Sequence, residues 1–352
     1  MGITIGDIAK QAGVSKTTVS RVLNNKSDVA PATRERIMRI IEQTDYIPNA
    51  VATGLAKGQS RLLGMLVPAL SWPWVLAILR GIAEQVERTP YDVILYTLSS
   101  HERNEEFFTQ TLPNGLVAGL ILILPPAGLE HVGKLHRSGF PIVLIDDRGS
   151  HPGFPSVGVT DRRGACEATR HFLQLGHRRI GFVNGPPDYG CCRDRLDGYR
   201  AALEEAGISF SEELIAEGDF SEAGGAAAIQ RWFDAPQFPS AVFVANDLMA
   251  FGILRALAQR NVRVPQDVAV VGFDDIPASA YTHPPLTTVR QPMYLMGKTA
   301  VEMLLEQVET GTLQQTRVEL TTELVVRESC GAQRAGVDQA GQRSGCMLRE
   351  RT

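Results

Sequence analysis

The hydrophobic pattern divides the chain in two. Over the first 48 residues, apolar positions recur three and four apart, the period of amphipathic helices. Ile5, Ile8, Ala9 and Ala12 share one face, and Thr4 with Asp7 three residues on makes a capping-box start. Gly13 stands where a tight turn needs positive φ, and Ser15 caps a second helix whose Val19, Val22 and Leu23 face inward. Pro31 opens a third helix with Ile37, Ile40 and Ile41 as its stripe, and Pro48 ends it. Asn49 is then an N-cap for a short helix over 50–57, too short to be stable alone in water and weakened further by Gly54. A plain flexible linker is the competing expectation for that segment.

From Arg61 the rhythm changes to short apolar runs alternating with amphipathic stretches. LLGMLVP, DVILYTL, AGLILILPP and PIVLIDD read as strands, with helices expected over 75–87, 104–112 and 129–138 between them. The alternation repeats: a helix over 164–176, strand RRIGFVNG, helix 195–205, a segment 223–232, strand SAVFVAND, helix 248–260 and strand VAVVGFDD. PLTTVRQP begins a strand-like crossing into a long helix, and RVELTTELVVRES is expected to cross back between lobes. Such βαβ succession predicts two α/β lobes with parallel sheets. Residues 331–352 are rich in Gly, Gln and Arg without apolar periodicity and read as a disordered tail.

A short helix, a Gly turn and a second helix make the helix-turn-helix spacing of DNA readers, though a small helical bundle shares it. The sequence beyond the turn separates the two. SxxTVSRVLNN, TRERI and YIPNAVATGLA, then FLQLGHRRIGFVNG, RLDGYRAAL, ANDLMAFGILRAL, VVGFDD and PPLTTVRQP, match in order the LacI/GalR family of bacterial transcriptional regulators. The chain resembles that family from about Ile3 to Glu328. The resemblance implies an N-terminal all-α helix-turn-helix domain (1–48), a hinge helix or linker (49–59) and a two-lobed periplasmic-binding-protein-like α/β effector domain (60–330). It also implies operator DNA and a small-molecule effector as partners, and a homodimer, since the leucine heptad of tetrameric members is missing.

Charge changes this picture little but in the same direction. The formal net charge is −4, yet residues 1–61 hold nine Lys/Arg against five acidic residues. A basic head on an acidic body suits a DNA binder with a separate ligand module. No apolar run approaches the ~18 residues that span a membrane, and the N-terminus opens directly into helix-forming sequence, so neither membrane insertion nor export is expected. Five cysteines, odd in number and without metal-ligand spacing, fit free thiols in a reducing cytoplasm. No cofactor or metal is expected.

The candidate chemistry falls into two sets. For DNA, Lys16 and Thr17 open the second helix, where side chains reach base edges, and Arg21 one turn on can take a guanine edge in bidentate fashion. Ser15, Thr18, Ser20 and Asn24 suit phosphate positioning, with Lys26, Arg34 and Arg36 adding backbone attraction. Thr4, Tyr46, Asn49 and Ala52 join the DNA-contacting set, and the resemblance gives Leu55 the role of a wedge in the minor groove. For the effector, the loops beyond the strands' carboxyl ends carry Trp72, Trp74, Asp146, Arg195, Phe220, Asn246 and Asp274. The tryptophans suit the C–H face of a sugar, and Arg, Asn and Asp can fork onto vicinal hydroxyls. Trp72 as core, and Asp247 and Asp275 as helix caps, stay open. No GxGxxG, GxxxxGK[ST] or HExxH is present and the histidines are scattered, so no catalytic site is expected. The leading reading is a repressor of sugar-utilisation genes; a solute-binding protein and a sugar-modifying enzyme are the alternatives.

Overall fold

The computed structural model describes residues 3–23, 26–44, 46, 60–68, 70, 72–97, 116–125, 130–146 and 153–332 of the 352. Asn24, the hinge segment 49–59 with Asn49, Ala52 and Leu55, the helix expected over 104–112, and all but the first two residues of the expected tail lie outside them.

The head is three helices: α1 (Ile5–Ala12), α2 (Lys16–Leu23) and α3 (Pro31–Thr44). The capping box forms as expected. Thr4 donates its backbone N–H to Asp7 Oδ2 at 2.9 Å, and Asp7 N–H reaches Thr4 Oγ1 at 3.4 Å. Gly13 ends α1 at φ 64°, a conformation that costs other residues a Cβ clash. Ile8, Ala9, Ala12, Val19, Val22 and Ile37 form the buried core, with Ile40, Ile41 and Tyr46 packed on it. Six buried apolar side chains make a small core, so each counts for a large share of the head's stability.

The body holds two six-stranded sheets. The first lobe runs β1 (Leu62–Val67), α4 (Pro73–Val86), β2 (Asp92–Thr97), β3 (Gly119–Ile123), α5 (Glu130–Arg137), β4 (Ile142–Ile145) and β5 (Ser156–Val159). The second runs α6 (Asp161–Gln174), β6 (Ile180–Asn184), α7 (Gly190–Glu205), β7 (Ile215–Glu217), α8 (Glu222–Ala228), α9 (Gln230–Phe233), β8 (Ala241–Val244), α10 (Asp247–Gln259), β9 (Ala269–Asp274) and β10 (Thr287–Arg290). The chain then returns to the first lobe through α11 (Met293–Thr310) and β11 (Arg317–Leu320), and ends in the second with β12 (Glu323–Val325). Strand orders are β11-β5-β4-β3-β1-β2 and β12-β10-β9-β8-β6-β7. Every residue of β3, β4, β6, β8 and β9 is buried, which is why these segments read as continuous apolar runs rather than alternating ones.

The fold departs from the sequence reading in three places. The sheets are parallel except at one edge, where β12 pairs antiparallel with β10 because the chain re-enters the second lobe from the opposite direction. The Ser156–Val159 strand is absent from the expected elements: four residues with a glycine among them carry little strand signal. Helix α7 starts at Gly190, five residues before the expected 195, because its N-cap Tyr189 makes no side-chain hydrogen bond and so leaves no capping signature.

Three crossings join the lobes, and polar side chains tie two of them to each other. Thr322 N–H donates to Thr160 Oγ1 at 3.0 Å, and Thr160 N–H to Leu320 O at 3.0 Å. In the first lobe α4 and α11 cross at Gly81 and Gly297. A Cβ on Gly81 would lie 2.0 Å from Tyr294 O, and one on Gly297 2.2 Å from Ile78 O, so backbone meets backbone there and only glycine fits. That close crossing holds the first turn of α4, with Trp74, in place over the sheet.

Candidate ligand cleft and DNA-reading helix

Between the lobes, beyond the carboxyl ends of the strands, lies a cleft of about 500 Å³ including its open mouth. That size is typical of small-molecule sites. All seven residues expected at the effector site line it: Trp72, Trp74 and Asp146 from the first lobe, and Arg195, Phe220, Asn246 and Asp274 from the second. Five more complete the wall: Leu124, Tyr189, Cys191, Leu248 and Gln291. Tyr189 and Cys191 escaped sequence reasoning with the early start of α7, while Gln291 stood in the VRQP motif without a role.

Two aromatic pairs face the space. Trp72 and Trp74 lie with ring centroids 5.7 Å apart, and Tyr189 meets Phe220 edge-on at 5.3 Å. Trp72 is half-buried and packs on the first lobe's core as well as lining the cleft, so both roles left open for it hold.

Backbone geometry marks the same place. Six non-glycine residues among those described have positive φ, and four of them line the cleft: Leu124 (46°), Asp146 (54°), Phe220 (67°) and Asp274 (119°). Such conformations are strained for leucine and phenylalanine, and strain gathers at binding sites where the surroundings over-determine it. Each follows or ends a strand, so the twist that aims its side chain inward comes at the sheet's carboxyl edge.

Arg195 is the electrostatic centre. It is 3% exposed, and its Nε and Nη2 both reach Asp161 Oδ1 at 2.7 Å. Nη1 donates to the Ala245 carbonyl, and the guanidinium lies 3.7 Å from the centroid of the Phe273 ring. Burial alone would lower Arg195's pKa; the Asp161 carboxylate more than reverses it, so Arg195 is charged. Asp274 is 6% exposed, and its Oδ1 accepts from Gln291 Nε2 at 2.7 Å. Burial pushes the Asp274 carboxyl well up, against the pull of Arg195.

Asn246 caps α10, its Oδ1 accepting from Met249 N–H at 2.9 Å while Nδ2 donates to Phe220 O at 3.0 Å. That second bond fixes the strained Phe220 loop. Asp247 and Asp275 do not cap helices. Asp247 is fully buried and accepts from Ile276 N–H (3.0 Å), Ser279 Oγ (2.6 Å) and Thr288 Oγ1 (2.6 Å), stitching the loop after β9 to α10. Asp275 pairs with Arg290 and Arg327, each at 2.7 Å. Cys166, Cys191, Cys192 and Cys330 are free thiols, and no metal-binding cluster occurs among the described residues.

In the head, Ser15, Lys16, Thr17 and Arg21 are exposed along α2 and its cap, with Thr18 and Ser20 half-buried. Ser15 Oγ accepts from Thr18 N–H at 3.1 Å, which fixes the start of the helix. Arg21 pairs with Asp28 at 3.3 Å. Thr4 is engaged in the α1 capping box, and Tyr46 packs on the head's core. Arg34 departs from its expected role: Nη1 donates to Val22 O at 3.3 Å and Nη2 to Lys26 O, closing the carboxyl end of α2. Its first task is structural.

The family model for bacterial regulatory proteins of the lacI family matches residues 4–49, and that for a periplasmic binding protein-like domain matches 169–330. The HTH-type transcriptional repressor PurR of Photobacterium profundum is 33% identical over 327 residues, covering 93% of this chain and 98% of that protein. The chain belongs to the LacI family of bacterial regulatory proteins. Two solved LacI-family structures match over almost their whole length. A transcriptional regulator CelR–cellobiose complex is 33% identical, with TM-score 0.72, over 93% of this chain and 99% of that one. A lac repressor dimer bound to operator and the anti-inducer ONPF is 30% identical, with TM-score 0.80, over 94% and 99%. As a LacI-family member the chain is a DNA-binding transcriptional repressor and not an enzyme. No helix among the described residues is long and apolar enough to cross a membrane.

Proposed function

We propose that this LacI-family repressor acts in the cytoplasm as a homodimer on a pseudo-palindromic operator, and that a small sugar-like effector in the interlobe cleft controls it. The observation that carries this reading is the cleft's lining: paired tryptophans opposite Arg195, Asn246 and Asp274, a set that offers an apolar ring face and hydroxyl partners together. CelR with cellobiose and the lac repressor dimer on its operator support it by likeness.

In this reading, side chains from Ser15 to Arg21 read the major groove, and the 49–59 segment with Leu55 orders only on DNA in the dimer. Effector binding shifts the lobe arrangement it prefers, and with it the spacing of the two hinge segments. Coupling of this kind requires the effector to bind the two arrangements with different affinity.

A gel-shift titration with and without sugars tests the reading. The expected result is sequence-specific retardation that one sugar class weakens or strengthens. If specific retardation is seen but no sugar alters it and none raises the melting point of the protein, the sugar-controlled reading is lost.

A further inference from the structure

We propose that the cleft admits uncharged carbohydrate and refuses phosphorylated or acidic sugars, and that Asp161, behind the cleft wall, sets this selectivity by holding Arg195. The inference rests on the carbohydrate-effector reading and deepens it.

Charge and donor supply both point this way. Among the described residues, the cleft lining contains a single cation, Arg195, and two carboxylates, Asp146 and Asp274, with no lysine or histidine. Arg195 comes to the cleft with its charge already answered. Nε and Nη2 both close on Asp161 Oδ1 at 2.7 Å, and Nη1 is engaged by the Ala245 carbonyl. A guanidinium has five N–H groups, so two remain, enough to meet one or two hydroxyl oxygens and too few for a phosphate's forked recognition.

The carboxamide donors are partly committed as well: Gln291 Nε2 donates to Asp274, and Asn246 Nδ2 to Phe220 O. What the cleft offers in excess is acceptors, and sugar hydroxyls supply donors that a phosphate or carboxylate does not.

One feature of the fold opposes this. Helix α7 begins at Gly190 beside the cleft, and its Tyr189 cap makes no side-chain hydrogen bond, so its first N–H groups favour an anion. A helix end is worth about half a positive charge. The first turn of α10, near Leu248, has its Asn246 cap in place and carries the Asp247 carboxyl. Half a charge does not outweigh two carboxylates over a neutralised arginine. Burial already pushes Asp274 well up, and an anion next to it would push it further, so added negative charge is met by proton uptake rather than by attraction.

The test is calorimetry on the full-length protein. A panel of neutral mono- and disaccharides, cellobiose included, is titrated first; each that binds is then compared with its monophosphate and its uronic acid. The expected result is affinity for the neutral sugar at least tenfold above both charged forms. A phosphate or uronate that binds as well as its neutral parent overturns the inference while leaving carbohydrate control standing. If no sugar binds in either form, the carbohydrate reading itself falls and takes the inference with it.

Asp161→Asn, which frees the guanidinium, should narrow the neutral-to-phosphate preference at least threefold; an unchanged ratio in a folded variant removes Asp161 from the explanation. Should that variant fail to fold, Asp146→Asn offers the same reading from the first lobe. It removes one carboxylate from the lining without touching the Arg195 pair, and the preference should again narrow.

Discussion

Arg195 and Asp161 form a buried ion pair in which one carboxylate oxygen takes two N–H groups, each at 2.7 Å, with 3% and 8% of the two residues exposed. Asp161 opens α6 directly after Thr160, at the first crossing between lobes, while Arg195 reaches into the cleft from α7. The pair thus links the ligand space to a lobe crossing through a single side-chain contact. Gln291, at the second crossing, makes the matching link to Asp274.

Removing Arg195 should therefore cost stability as well as ligand affinity. Arg195→Ala leaves Asp161 buried without its partner, a loss of about 3–5 kcal/mol for breaking a buried pair from one side. The double variant Arg195→Ala with Asp161→Ala should lose less than the single one, because no uncompensated carboxylate remains. Denaturant unfolding of the three proteins checks this. A double variant at least as unstable as Arg195→Ala would show that the pair's charges are not what the arginine stabilises.

The tryptophans give ligand binding its own optical signal. The chain has three, of which Trp72 and Trp74 line the cleft and Trp232 is 1% exposed in the second lobe's core, its Nε1–H on Glu213 O at 2.9 Å. Effector addition should change the fluorescence of the first two and leave Trp232 silent. Trp74→Phe should reduce the change and weaken binding about tenfold or less, since an aromatic face remains, and Trp74→Ala should weaken it more. A full-sized fluorescence change in the Trp72→Phe/Trp74→Phe double variant would place the responding tryptophan elsewhere.

How much of this was legible beforehand depends on the range of each interaction. The helices of the head and the buried strands announce themselves through local periodicity, and all seven expected cleft residues sit at strand ends that such runs locate. Asp161 gave no signal, because its partner lies 34 residues away and a lone acid at a helix start reads as a favourable first-turn charge. The short β5 and β7 strands lack the length for a pattern, and the antiparallel β12 follows from where the third crossing re-enters, which is a property of the whole chain. The positive φ at Leu124 and Phe220 is set by the sheet edge and contradicts what those residues prefer locally.

Asp247 should leave a mark on the pH dependence of stability. Burial raises its pKa to about 7, ahead of the hydrogen bonds from Ser279, Thr288 and Ile276 that pull the other way. In the unfolded chain an aspartate titrates near 3.9. The folded state therefore holds this proton more tightly, so the group's contribution is fully present below about pH 4 and is lost as pH rises through about 7. Melting temperatures of the wild type and Asp247→Asn, measured from about pH 4 to 8, isolate the effect. The wild type should lose ground relative to the variant up to about pH 7 and then level off. A difference that stays flat, or grows in the wild type's favour, would mean the three donors hold Asp247 ionised throughout.

In the head, Arg21 and Asp28 make an exposed pair at 3.3 Å, both side chains more than half exposed. An exposed pair is worth little, about 0–1 kcal/mol, so it does not hold the head together. It does compete with DNA, because Arg21 must release Asp28 before its guanidinium can fork onto a base edge. Arg21→Ala should weaken operator binding by about 1–3 kcal/mol and relax the preference at one base pair, if the arginine reads a base. Asp28→Ala should do the opposite, tightening binding to operator and to unrelated DNA alike by removing a negative charge and a competing partner. Arg34→Ala serves as the contrast: it takes the closing bonds from Val22 O and Lys26 O, so it should lower the head's melting point as well as its affinity. Gel shifts at two salt concentrations, with circular dichroism on each variant, separate the three. An Arg21→Ala protein that binds operator and random DNA as the wild type does would remove α2's last turn from the reading surface.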